Sequence, residues 1–176
     1  PTSLTLSATD NAPSSLSYIV VSGPSRGTLS GSGASRTYTP SSNFNGSDSF
    51  TWHAYDGTAN SNVATYSLNV TAVNDAPVAS AQSVTTTEDT AASITLVGID
   101  IEGDTLSYTV VSAPSQGTLS GSGSSRSYTP VADATGSDTF TFKVNDGQLD
   151  SNTATVSVTI SAVNDAPVAS AQSVTT

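Results

Sequence analysis

The chain has 176 residues, no Cys, and 14 Asp and Glu against 4 Lys and Arg, which gives a net charge of −10 at pH 7. Such an acidic chain repels nucleic-acid phosphates and anionic lipid head groups, so neither is an expected partner. No apolar run approaches the roughly 20 residues of a membrane helix, so no membrane insertion is expected.

Apolar residues alternate with Ser and Thr along the chain, as expected for strands with one buried face. In the first half the alternating sets are Leu4/Leu6, Leu16/Tyr18/Val20, Phe50/Trp52/Ala54 and Tyr66/Leu68/Val70. In the second half strands are predicted over 83–87, at Ile94/Leu96, at Leu106/Tyr108/Val110, over 118–121, over 127–129, at Phe140/Phe142/Val144 and at Ala154/Val156/Val158/Ile160. About seven short strands separated by turn residues indicate an antiparallel sandwich of immunoglobulin or cadherin type.

The two halves are copies of one unit. Leu16–Pro40 returns with few changes 90 residues later as Leu106–Pro130, and Val73–Thr86 returns unchanged as Val163–Thr176. Copies in line indicate a structural unit used repeatedly. The predicted fold class is therefore all-β, with two Ig- or cadherin-like antiparallel β-sandwiches in tandem as an extended rod. Length, adhesion or polymerisation benefits from copies, whereas catalysis in one pocket gains little, so no enzyme is expected.

Two domains and a surplus segment are predicted. Residues 1–75 form the first sandwich without its first strand, residues 76–165 form a complete second sandwich, and residues 166–176 repeat the first strand. Pro77 favours an extended, semi-rigid linker. A sandwich without its first strand exposes an edge. We expect the C-terminal segment of a neighbouring copy, noncovalent or in one covalent array, to fill it head to tail, with Val174 pointing inward as Val84 does.

Acidic and amide side chains around the linker form the candidate metal site. Ca²⁺ takes six to eight oxygen ligands, and the loops of two domains can supply them to one shared ion. The candidate ligands are Asp56, Asn74, Asp75, Glu88, Asp100, Glu102 and Asp104. Gly103 and Val111 do not fit an EF-hand loop, so a clamp shared between domains is expected instead. The alternative is that these residues form solvated acidic turns.

Several of these residues resemble cadherin motifs. Ala72–Pro77 resembles the cadherin linker DxNDNAP, Asp100-x-Glu102 the DxD pair, Glu88 the first-strand Glu, and Val144–Gly147 the AxDxG segment. Over the whole chain the sequence is more similar to bacterial cadherin-like and VCBS-type repeats of giant secreted adhesins, typically exported by type I systems. The resemblance implies Ca²⁺-rigidified, non-enzymatic spacer or adhesive modules in extracellular surface, filament or biofilm proteins.

The first copy departs from this pattern. Asp10 is kept, but Ala12 and Ser14 replace the equivalents of Glu102 and Asp104, so fewer ions, or none, are expected at the front of the first copy. Ala72 also replaces the first Asp of the cadherin linker.

Other residues have simpler structural interpretations. Trp52 shares a face with Phe50, so it is expected in the core. Arg36 and Arg126 are expected to form ion pairs with carboxylates such as those of Asp48 and Asp138. A carbohydrate-binding module that takes polysaccharide is the alternative function. It requires exposed aromatics, and Tyr55 is the evident candidate.

Overall fold

The computed structural model describes residues 1–11 and 15–175. Over those residues the secondary structure consists of β-strands, which confirms the all-β prediction. The chain divides into two compact units, Pro1–Val73 and Asn74–Thr176. Ala12 and Ser14, on which the comparison of the two acidic loops depends, lie outside the described residues.

Unit 1 is a sandwich of two three-stranded sheets. Its strands are β1 (Thr2–Thr5), β2 (Ser17–Ser22), β3 (Gly27–Ser30), β4 (Ser35–Pro40), β5 (Gly46–Tyr55) and β6 (Ala64–Val70). One sheet has the order β1-β4-β3 and the other β2-β5-β6, with every pairing antiparallel. The strand β6 is therefore an edge of its sheet.

Unit 2 repeats this plan and adds strands at its beginning. Its strands are β7 (Val78–Ala79), β8 (Gln82–Thr87), β9 (Ala92–Thr95), β10 (Gly98–Ile99), β11 (Ser107–Ser112), β12 (Gly117–Ser122), β13 (Ser125–Pro130), β14 (Gly136–Asn145) and β15 (Ala154–Ser161). The sheets have the orders β12-β13-β9 and β11-β14-β15-β8, and β10 pairs with β7. The pairing of β15 with β8 is parallel.

The predicted inward residues form the two cores. Phe140, Phe142 and Val144 are fully buried, and Trp52 of unit 1 is only 8% exposed, as predicted. Lys143 lies between two of these core residues and extends outward to Asp150, with 2.5 Å between Lys143 Nζ and Asp150 Oδ2. Strict alternation along each strand places every second side chain between the sheets.

A buried hydrogen bond joins the two sheets of each unit. Tyr38 Oη donates to Asp48 Oδ2 at 2.8 Å, and Asp48 also accepts from the N–H groups of Ser25, Arg26 and Ser49. The predicted ion pair of Arg36 with Asp48 is wrong, because these donors already surround the carboxylate. Arg36 Nη2 donates instead to the carbonyl of Tyr18 at 3.1 Å.

The C-terminal segment lies outside both sheets. The described residues 162–175 belong to no strand, and Val168 and Val174 are 92% and 88% exposed. The described part of the predicted surplus first strand, residues 166–175, thus belongs to no strand, and Thr176 lies outside the described residues. In unit 2 the residues with the same sequence include β8, which pairs with β15.

Candidate metal centre

A tight acidic loop follows β10 in unit 2. Asp100 Oδ1 accepts hydrogen bonds from the N–H groups of Glu102 and Asp104, both at 3.0 Å. Such Asx-type bonds favour a turn, and Gly103 supplies the left-handed backbone that the turn requires, with φ of 81°. The second oxygen, Asp100 Oδ2, is buried without a hydrogen-bond partner. A buried carboxylate oxygen in this state needs a donor, a water or a cation.

The residues that begin unit 2 are bound to the same end of the sandwich. The N–H of Asp75 donates to Glu102 Oε2 at 3.3 Å, and Asn74 Nδ2 donates to Asp146 Oδ2 at 2.8 Å. Gln148 Nε2 donates to Asn74 Oδ1 at 3.1 Å. These bonds place Asn74 and Asp75 in unit 2, so five predicted ligands belong to this entry end: Asn74, Asp75, Asp100, Glu102 and Asp104.

Asp146 is a residue of this end that the predicted ligand set omitted. Its carboxylate accepts from the N–H groups of Leu149 and Gln148, and these bonds, together with that from Asn74, lower its pKa. The Asn-Asp-Gly turn around it, already noted for its resemblance to the AxDxG segment, was the signal that could have found it.

Asp56 does not lie at the linker. It is the counterpart of Asp146 and caps the turn before β6, where it accepts from the N–H groups of Ala59 and Thr58, both at 2.7 Å, which lowers its pKa. The chain leaves unit 1 at the opposite end of β6, after Val70. The prediction that Asp56 shares the linker ion is wrong for this reason. Its acidic neighbour is Asp10 of the same unit.

Glu88 also lies away from the other predicted ligands. The start of β15 adjoins β7, since Asn152 Oδ1 accepts from the N–H of Ala79 at 3.1 Å. Glu88 follows β8 and lies at the end of β15, where its N–H donates to the carbonyl of Ser161 at 3.0 Å. Eight extended residues separate the two ends by about 25 Å. Parallel pairing therefore places Glu88 at the end of unit 2 where the chain leaves the sandwich, called the exit end below. This is contrary to the prediction that all these ligands share one ion.

Three carboxylates meet at this exit end. Oxygens of Asp89, Asp133 and Asp165 lie within 4.8 Å of one another, and all three residues are exposed. Glu88, only 6% exposed, accepts from the N–H of Val163 at 2.5 Å beside them. The predicted set missed Asp89, Asp133 and Asp165, although Asp165 is the repeat counterpart of Asp75 and that equivalence was available from the sequence.

Electrostatic repulsion marks the exit cluster. Desolvation raises the pKa of Asp165, and the charges of Asp133, Glu88 and Asp89 raise it further. A divalent cation relieves such repulsion, and carboxylate, amide and carbonyl oxygens are the donors that Ca²⁺ prefers. Each end of unit 2 thus carries oxygen ligands of the kind that fit Ca²⁺. At the entry end Asp100 has one buried oxygen without a partner, and at the exit end three carboxylates lie within 4.8 Å of one another.

Two β-sandwiches with this strand order define the chain as a tandem of Ig-like modules. A family model described as a bacterial Ig domain matches residues 1–69 and 74–159. The chain belongs to that family. No curated protein matches it significantly.

Two solved protocadherin structures support the fold. Human mucin-like protocadherin EC1-2 is 18% identical with a TM-score of 0.53, and the alignment covers 91% of this chain and 93% of that one. Protocadherin gamma B2 extracellular cadherin domains 1-5 give 17% identity and a TM-score of 0.55 over 85% of this chain and 34% of that one. The chain spans only 24% of an endo-fucoidan hydrolase of glycoside hydrolase family 107, at 24% identity over 86% of this chain, with a TM-score of 0.44. In the described residues no helix is long and apolar enough to cross a membrane.

Proposed function

We propose that this chain is a structural or adhesive repeat module of a long extracellular bacterial surface or filament protein, and that it is not an enzyme. The tandem copies support this role, because an in-line repeat provides length and spacing rather than a catalytic pocket. Bacterial Ig and cadherin-like domains are usually extracellular, so the match to the bacterial Ig family supports the proposed extracellular location.

Ca²⁺ stiffens the module where repeats follow each other. The observation that carries this proposal is Asp100 Oδ2, which is buried without a partner in a loop that also presents Glu102 and Asp104. Asn74 and Asp75, at the linker, are hydrogen-bonded to this end. A cation bound here ties the linker to the loop and restricts its rotation.

The exit end of unit 2 supplies a complementary set of ligands. Glu88, Asp89 and Asp133 face Asp165 of the next linker, which repeats Asp75. In a continuous array, the linker Asp (Asp75 or Asp165) would contribute its carboxylate to the repeat before the linker. The linker Asn side chain and the Asp N–H would bind to the repeat after it, as those of Asn74 and Asp75 do in unit 2. The equivalent of Asp133 in unit 1 is Asn43, so a junction after unit 1 has a weaker exit set.

Calcium-dependent stability tests this function. Ca²⁺ at 100 times its dissociation constant should stabilise the binding unit by about 2.7 kcal/mol relative to chelator. The double variant Asp100→Asn/Glu102→Gln should lose most of this difference. Asp150→Asn is the matched control: it removes one exposed charge, the equivalent residue in unit 1 is Asn60, and its response to Ca²⁺ should stay normal. Identical unfolding curves of the unmodified chain in Ca²⁺ and in chelator would contradict the proposal.

Copies of the module assemble head to tail through the C-terminal segment. Residues 168–176 repeat the sequence 78–86, which contains β7 and most of β8, and in unit 2 β8 pairs in parallel with β15, the equivalent of β6. A contact between two different surfaces of the same molecule does not close, so it propagates as a filament.

Polysaccharide is a less well supported partner. A sugar platform requires exposed aromatic rings, and every aromatic side chain among the described residues is buried or half-buried. Tyr55, the candidate from the sequence, donates its hydroxyl hydrogen to the carbonyl of Gly57 at 2.7 Å, which holds the ring against its own turn.

A further inference from the structure

The same groove occurs in both units, between two strands that form edges of the two sheets. In unit 1 it lies between β2 and β3, and in unit 2 between their counterparts β11 and β12. Its cavity volume is about 450 Å³ in unit 1 and about 610 Å³ in unit 2. We call it the edge groove. Equivalent residues line it in both units, among them Val20/Val110, Pro24/Pro114, Leu29/Leu119 and Arg36/Arg126.

Arg36 brings a buried positive charge to the edge groove of unit 1. It is only 8% exposed, and its Nη2 donates to the carbonyl of Tyr18 at 3.1 Å, whereas its Nη1 is buried without a hydrogen-bond partner. No carboxylate of the described residues forms an ion pair with it. A buried charge is normally paired with an opposite charge, and a buried N–H group needs an acceptor. The guanidinium of Arg36 therefore has room for an anionic partner.

Arg126 repeats this arrangement in unit 2 with longer bonds. Its Nη1 donates to the carbonyl of Ser125 at 3.4 Å and its Nη2 to that of Tyr108 at 3.5 Å, both beyond the ordinary range of N–H···O bonds. The side chain is half-buried and forms no ion pair with a described residue. A guanidinium has five N–H donors in a planar fork that fits a carboxylate. Both edge grooves thus contain a cation with unused donors.

The walls of the edge groove favour an extended peptide over a sugar. Val20 and Leu29 in unit 1, like their counterparts in unit 2, are half-buried and pack against the core. The strands β3 and β12 each pair with one neighbour, and an unpaired strand edge is the usual acceptor of an extended peptide. Stacking of a sugar requires an exposed aromatic ring, whereas Tyr108, the aromatic residue that lines the groove of unit 2, is half-buried.

We propose that the edge groove of each unit binds the carboxylate of an Asp or Glu side chain on an extended peptide segment of a partner protein. The carboxylate accepts hydrogen bonds from the guanidinium of Arg36 or Arg126, and the peptide backbone lies along the free edge of β3 or β12. A partner that engages both grooves of one chain gains avidity without any new contact. The site gives the proposed adhesive role, on which its biological use rests, a class of ligand, but the binding itself does not require Ca²⁺.

Side-chain NMR of arginine tests the site, because Arg26, Arg36 and Arg126 are the arginines of the chain. The probe is the pentapeptide Thr-Val-Asp-Val-Thr with both ends blocked, titrated into the full chain in chelator. The Nε–H signals of Arg36 and Arg126 should shift and saturate. The signal of Arg26 should stay in place, because Arg26 is exposed and its guanidinium lies over the ring of Phe44, 5.9 Å from the centroid.

The peptide Thr-Val-Asn-Val-Thr is the matched ligand without the charge. It should bind at least about ten times more weakly, because a hydrogen bond to a charged group contributes more than one between neutral groups. Equal affinity of the two peptides would overturn recognition of a carboxylate, and so would the absence of saturable shifts at millimolar concentrations of the Asp peptide.

Variants in the two units serve as controls for each other. Arg126→Gln should abolish the peptide-induced shifts of backbone signals in β11 and β12 and leave those in β2 and β3, whereas Arg36→Gln should do the reverse. Arg26→Gln is the matched control, because Gln116 stands at the equivalent position of unit 2, and it should bind like the unmodified chain. If Arg36→Gln unfolds unit 1, the half-buried Arg126 still gives the test. Unchanged binding to unit 2 of Arg126→Gln would overturn the site.

Two further comparisons identify the occupant and separate it from calcium binding. Oligogalacturonate carries carboxylates on a sugar backbone and should cause no saturable shift of the Arg36 and Arg126 signals. Binding of this sugar as tight as that of the Asp peptide would overturn the peptide as occupant. Peptide binding in chelator by a chain whose unfolding does not respond to Ca²⁺ would support the edge groove and overturn the proposed stiffening alone. A calcium response without peptide binding would overturn the edge groove alone.

Discussion

Gly117 lies directly against the ring of Tyr128: a Cβ atom at position 117 would stand 2.5 Å from Tyr128 Cε2. Tyr128 is fully buried and donates its hydroxyl hydrogen to Asp138 Oδ2 at 2.9 Å. The glycine therefore allows the ring to cross between the sheets and reach the carboxylate. Gly27 has the same relation to Tyr38 in unit 1.

Gly117→Ala should destabilise unit 2 by about 1–3 kcal/mol, because the new methyl group either overpacks the ring or breaks its bond to Asp138. Urea unfolding measures the change. Gly23→Ala is the control, since a Cβ at position 23 meets nothing within 4 Å and the equivalent residue in unit 2 is Ala113. The stability of that variant should be unchanged or slightly raised.

Acid should weaken unit 1 through Asp48. Burial alone would raise the pKa of Asp48, but hydrogen bonds from Tyr38 Oη and from the N–H groups of Ser25, Ser49 and Arg26 outweigh it and lower the pKa to about 2. A lowered carboxyl pKa contributes stability above the unfolded value of 3.8, and this contribution is lost as the pH falls through the folded value.

The free energy of unfolding of unit 1 should therefore fall by about 2 kcal/mol between pH 4 and pH 2, as this one carboxylate is protonated. Asp48→Asn should be less stable at pH 7 and should lack this part of the pH dependence. Chemical unfolding at several pH values compares the two chains. A mutant with the full acid response of the unmodified protein would show that other groups control it.

Phe142→Ala should cost about 3–5 kcal/mol, because it removes a fully buried ring from the core of unit 2. Lys143→Ala should cost less than about 1 kcal/mol, because it removes an exposed ion pair with Asp150. Thermal or urea unfolding gives both values. A reversal of the two costs would mean that β14 presents the opposite face to the core.

Asp165→Asn should have opposite effects with and without calcium. Desolvation and the charges of Asp133, Glu88 and Asp89 raise the pKa of Asp165, so its ionised form is unfavourable in the folded protein. In chelator at pH 7 the variant should melt at a higher temperature than the unmodified chain. In Ca²⁺ the order should reverse, because a ligand has been lost. Calorimetry in the two buffers measures both, and an unchanged order would argue against an ion at the exit end.

Most of the strands, and the buried side of each, could be predicted from the residue pattern, although the two-residue strands β7 and β10 could not. Alternation with a period of two residues identified Phe140, Phe142 and Val144 as core, and the repeat located their counterparts Phe50 and Trp52. These properties are local, because the backbone geometry of a strand places successive side chains on opposite faces wherever the strand lies.

Which polar groups come into contact depends on how the strands pair in three dimensions. Parallel pairing of β8 with β15 carries Glu88 to the exit end of unit 2, and the turn before β6 holds Asp56 at the far end of unit 1. Asp48 likewise accepts hydrogen bonds from Tyr38 and from backbone N–H groups, and not from Arg36. These contacts depend on strand direction and on which strand ends lie at the same edge of a sheet. The alternation of residues along the sequence does not show either.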